Sequence, residues 1–60
     1  SETVGQILGA AIQAEKDSIS FYLGIKDAIS SEQDRQTVDK IIKEEMTHVS
    51  VLQKQMAQWS

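Results

Sequence analysis

The chain contains no cysteine and no proline, only three glycines, and one each of Phe, Tyr and Trp. Without cysteine it can form no disulfide, zinc–thiolate site, iron–sulfur cluster or thiol nucleophile of its own. The missing proline and scarce glycine remove the usual helix breakers. What fills the 60 residues instead is rich in Ala, Gln, Glu, Lys, Ile and Ser, a helical composition. Positive charge is also short. A net charge of −3 and a pI near 4.8 leave no basic stripe for nucleic acid and no basic amphipathic helix for a membrane surface. No apolar run approaches the ~20 residues that span a bilayer, and no signal peptide is visible, so the expected location is cytoplasmic.

The residues present predict one all-α unit over 1–60, made of two helices and a tight connection. Thr3-x-x-Gln6 reads as a capping box for a helix over about 3–29, and Ser30-x-x-Gln33 as one for a helix over about 32–58. Glu32 and Asp34 place negative charge in the first turn of the second helix, where the helix dipole favours it. A fold-back near Ser30-Ser31 makes the pair an antiparallel hairpin, with residues whose numbers add to about 60 at one level.

Apolar periodicity then asks for more than a hairpin. The first helix carries Val4, Leu8, Ile12, Ile19, Tyr22 and Ile29 on one stripe, with Glu15 in its middle. A second, adjacent stripe holds Ile7, Ala11, Ala14, Phe21, Ile25 and Ala28. Together they cover roughly 200° of the helix surface, more than one partner helix can bury. The second helix is narrower, with Val38, Ile41, Ile42, Val49, Leu52, Met56 and Trp59 around Glu45 and His48. Two hairpins paired into a four-helix bundle are the smallest closed solution, so the expected state is a homodimer. The second stripe suggests further association into a ring-like oligomer.

Three residues interrupt these stripes with metal-binding chemistry. Glu45-x-x-His48 sets a carboxylate and an imidazole one turn apart on one helix face, and the fold-back brings Glu15 opposite. A two-fold dimer would supply four carboxylates and two imidazoles, the donor set of a carboxylate-bridged two-metal centre in a helix bundle. Four carboxylates balance two divalent ions, and oxygen-rich coordination suits iron, with manganese as the alternative, over structural zinc. Surface Glu–His pairs at this spacing are ordinary, and Glu44–His48 can be a plain i, i+4 contact. The stronger point is joint: carboxylates clustered inside an apolar seam are costly unless protonated or metal-bound. Tyr22, two turns beyond Glu15, reads either as a phenol supporting the ligands or as a core aromatic. Asp17 and Glu44 are candidates for an ion-entry path or for support of the ligands.

The stretches Ala-Ile-Gln-Ala-Glu-Lys-Asp-Ser-Ile-Ser-Phe-Tyr (11–22) and Ile-Ile-Lys-Glu-Glu-Met-Thr-His-Val-Ser-Val-Leu (41–52) resemble the ferritin-like superfamily, particularly its rubrerythrin branch. The two-helix length is most similar to the encapsulated ferritins, in which a ferroxidase site forms between two chains and dimers join into a ring. The resemblance implies a ferritin-like four-helix bundle, Glu15, Glu45 and His48 as ligands and catalytic residues, two irons per dimer, and oxidation of Fe(II) in iron storage or detoxification. It also implies an encapsulin shell as a partner and compartment. Two departures stand out. The acidic residues flanking the first ligand in those proteins fall here on Ala14 and Asp17, only one of them acidic. The rubredoxin-type cysteines of rubrerythrins are missing, and no encapsulin-targeting tail is visible after Ser60. A di-iron peroxidase with an external electron donor and a metal-free helical interaction module are the alternative readings.

Overall fold

The computed structural model describes residues 3–59, which form two helices and no strand, α1 (Val4–Lys26) and α2 (Glu32–Gln58). The first helix begins as its sequence predicts. The Thr3 hydroxyl accepts the Gln6 backbone N–H at 3.2 Å, while the Gln6 side-chain oxygen accepts the Thr3 N–H at 2.8 Å. Two of the orphan donors of the helix start are thereby satisfied reciprocally.

The connection departs from expectation in two ways. The first helix stops at Lys26 rather than near residue 29, and Ala28 and Ile29 donate to the carbonyls of Ile25 and Lys26 in tight turns. The cap of the second helix is Ser31, not Ser30: its side chain accepts from the Asp34 N–H at 3.3 Å. A reciprocal box would need Glu or Gln where Asp34 stands, so this start has a cap without a box. The expected acidic first turn holds, with Glu32 and Asp34 at the positive end of the dipole.

Cross-hairpin neighbours define the register. Lys26 pairs with Asp39, Glu15 meets His48, and a methyl added at Gly9 would touch Met56. The numbers in these pairs add to 63–65, a few more than the expected 60. The reversal is centred just past Ser31, in keeping with that residue's role as cap.

The hydrophobic seam between the helices is small. Ile12, Val38 and Ile42 are its buried members, and Leu8, Ile19, Tyr22, Val49 and Leu52 line it half-buried. Glu15 and Glu45 lie in the same seam. The hairpin measures 45 × 18 × 11 Å, a plate about one helix thick. Large apolar side chains remain in solvent, among them Ile7, Phe21, Leu23, Met46, Val51 and Trp59.

These exposed residues are unevenly placed. Stepping back about 100° from the seam on either helix reaches the same broad face of the plate, because the helices run antiparallel. On that face α1 presents Val4, Ile7, Ala11, Ala14, Ser18, Phe21 and Ile25, at alternating spacings of three and four. Helix α2 presents Thr37, Ile41, Glu44, His48, Val51 and Gln55 at the same spacing. The opposite face is polar, with Gln13, Lys16, Ser20, Asp39, Lys43, Ser50 and Gln53 around Leu23 and Met46.

Candidate metal centre

Midway along the plate the structure brings together Glu15 from α1 and Glu45 and His48 from α2. His48 Nδ1 lies 3.6 Å from Glu15 Oε2 and 3.9 Å from Glu45 Oε1. One ligand atom from each residue falls within 4.8 Å of the other two. Both His48 distances are too long for hydrogen bonds, so the three donors surround a gap. An ion about 2.1 Å from each donor would hold them about 3–3.5 Å apart, which small side-chain rotations reach.

The carboxylates are the inner part of this group and the imidazole its rim, with side chains 28%, 21% and 57% exposed for Glu15, Glu45 and His48. Helix periodicity produces that gradation. Glu15 and Glu45 occupy seam positions, and His48 sits about 100° round α2, on the apolar face. Ala11, Ala14 and Ser18 stand on that side of α1, so the α1 side chains flanking the group on this face are small.

The electrostatics follow from the crowding. Glu45 holds its proton more tightly than an ordinary glutamate. The first cause is the Glu15 carboxylate, which accepts a hydrogen bond from protonated Glu45; lost solvation and the Glu15 charge add to it. His48 pulls in the opposite direction and Glu44 adds to the rise. When Glu45 is ionised no such bond forms, and Oε2 of Glu15 is then a buried acceptor with no hydrogen-bond partner. An unsatisfied buried acceptor costs about 1–3 kcal/mol, more if charged. A cation bound by all three donors would remove that cost, so the residues fit a divalent metal.

The other residues read from the sequence are placed differently. Tyr22 is half-buried, packs edge-to-face on Phe21 with ring centroids 5.6 Å apart, and has no hydrogen bond to Glu15, Glu45 or His48 among the described residues. Asp17 lies on the outer side of α1, where it accepts from Gln13 Nε2 at 2.9 Å; it is not part of the group. Glu44 is exposed beside Glu45 and makes neither a hydrogen bond nor an ion pair with His48 in its own chain. The contribution of Ser18 went unread in the sequence: its hydroxyl donates back to the Ala14 carbonyl at 3.1 Å, so it adds a third small side chain to the flank of α1 beside the carboxylates. Its signal was available, as the small-residue spacing 11, 14, 18.

No family model, curated protein sequence or solved structure matches this chain.

Proposed function

We propose that the chain is one half of a ferroxidase, with Fe(II) as substrate at Glu15, Glu45 and His48 and the other half supplied by a second copy. The observation that carries this reading is the partnerless, buried Glu15 Oε2 at the convergence of Glu45 and His48. Three donors are too few for two ions. The two-fold pair would provide four carboxylates and two imidazoles, matching the two-metal set of carboxylate-bridged helix bundles. Two Fe(II) ions would give one electron each, and dioxygen with two protons would leave as hydrogen peroxide.

The chain's own contribution is positional. Glu15 and Glu45 supply negative charge inside an apolar seam, where Fe(III) is favoured over Fe(II) by its extra charge. His48 supplies a neutral donor at the rim, and the small residues beside it leave room for oxygen. Any storage of the product would need a surrounding shell, and the ferritin-like resemblance points to an encapsulin compartment and a ring of dimers.

Aerobic Fe(II) titration tests the reading. The expected result is stoichiometric oxidation of two Fe(II) per pair of chains, with His48→Ala at least ~100-fold slower but equally helical. Turnover requiring peroxide and a reductant would favour a di-iron peroxidase. If neither Fe(II) nor Mn(II) binds, a helical interaction module remains, which the exposed apolar face also favours.

A further inference from the structure

The face on which the metal group opens is self-complementary, in size along α1 and in hydrogen-bond donor and acceptor along α2. A two-fold axis lying in that face, at right angles to the helices, would lay α1 on α1 and α2 on α2 of a second copy, each pair antiparallel. Placed level with residue 16, the axis sets Ile7 against Ile25, Ala11 against Phe21, and Ala14 against Ser18. The one bulky ring of the stripe thus meets a methyl side chain, and the small residues meet at the centre. On α2 an axis level with residue 46 sets Ile41 against Val51 and Glu44 against His48. These two levels add to 62, one to three below the hairpin neighbours, so they coincide to within one to three residues. Hairpin neighbours have numbers adding to 63–65, and both side chains of each pair lean toward their own N-termini. One axis therefore satisfies both helices.

We infer that this face is the contact between two copies of the chain, in this antiparallel register, and that Glu44 of each copy holds His48 of the other. His48 directs Nδ1 toward the carboxylates of its own chain, which leaves Nε2, across the ring, on the side away from them and available to a second copy. Glu44 is exposed and makes no hydrogen bond or ion pair among the described residues. Across the axis it accepts the Nε2–H of the partner's His48, which fixes the tautomer that leaves Nδ1 free for a metal. Glu44 is thus a positioning residue. Its role rests on the ferroxidase reading; the register does not. A two-fold axis parallel to the helices is the competing arrangement. It would set Phe21 against Ile41 and leave His48 over Ala14 and Glu44 over Ser18, with no charge partner for either.

The absence of native cysteine makes the register directly testable. Under mild oxidation, with and without Mn(II), the double variant Ile7→Cys/Ile25→Cys should give a covalent dimer closed by two disulfides. Leu23→Cys/Met46→Cys, on the polar face, should not. Failure of the first pair under both conditions, or efficient dimerisation of Phe21→Cys/Ile41→Cys instead, overturns the register. Glu44→Gln should weaken Mn(II) affinity about 10–100-fold without lowering the yield of the 7–25 dimer. Mixing Glu44→Gln chains with His48→Ala chains should then restore one tight site per pair, because the intact His48 meets an intact Glu44 only across the interface. No recovery would mean that Glu44 acts within its own chain. The two readings fail separately. A 7–25 dimer that binds no metal removes the ferroxidase and keeps the interface, whereas normal Fe(II) oxidation without the 7–25 dimer does the reverse.

Discussion

If the proposed ferroxidase reading holds, Glu15 is the residue on which the apo and metal-bound states pull in opposite directions. Once Glu45 is ionised, the buried Glu15 oxygen has no hydrogen-bond partner among the described residues, so replacing that side chain with an apolar one should then help the metal-free protein. Glu15→Leu is expected to raise the metal-free melting temperature, by the equivalent of about 1 kcal/mol or more, while abolishing Fe(II) oxidation. A lower melting temperature would reveal a structural partner for this carboxylate. Glu45 adds a pH dependence. Its proton is held more tightly in the folded chain than in an unfolded one, so its contribution to apo stability is full in acid and is lost as pH rises through the elevated value. Metal binding runs the other way, since the ion must displace that proton. Mn(II) affinity should therefore strengthen as pH rises through the same range, and a flat profile by calorimetry would remove Glu45 from the ligand set. The convergence of Glu15, Glu45 and His48 was legible in the sequence, because it needs only helical spacing and an antiparallel return. The orphaned oxygen was not: it depends on side-chain rotamers and on which flank of α1 is small.

At the level of the helices, the start of α1 was readable because Thr3 and Gln6 are both long enough to bond each other's backbone. Its end was not. Asp27, Ala28 and Ile29 contain no breaker, and the helix stops because the chain must turn toward Ser31. Neither Ser30 nor Ser31 is distinguished by the residues before it, so choosing the cap required the geometry of the return. Gly24 exposes a further weakness of α1. A methyl group added there meets nothing within 4 Å, and the position lies on the outer side of the helix, away from both the seam and the apolar face. Gly24→Ala should stabilise the chain by about 0.5–1 kcal/mol through helix propensity alone, read as a higher melting temperature with unchanged Fe(II) kinetics.

For the molecule as a whole, the three buried side chains among the described residues are a small core for a folded unit. The apolar face is the obvious source of further stability, and its use would tie folding to association. The melting temperature should then rise with protein concentration, by roughly 3–6 °C per tenfold increase. A concentration-independent transition would mean that the hairpin melts alone. Ile7→Lys and Phe21→Lys, each placing charge on that face, are expected to flatten the dependence, whereas Leu23→Lys on the polar face should leave it unchanged.

The plate-like shape also governs how the particle moves through solvent. A body of 45 × 18 × 11 Å is far from spherical and drags more than its mass suggests. Stacking two such plates face to face doubles the mass and the short dimension but leaves the long axis as it was. The frictional ratio falls as the mass rises, so monomer and pair would elute from a sizing column closer together than a twofold change in mass implies. Light scattering or native mass spectrometry would separate them where elution volume blurs them.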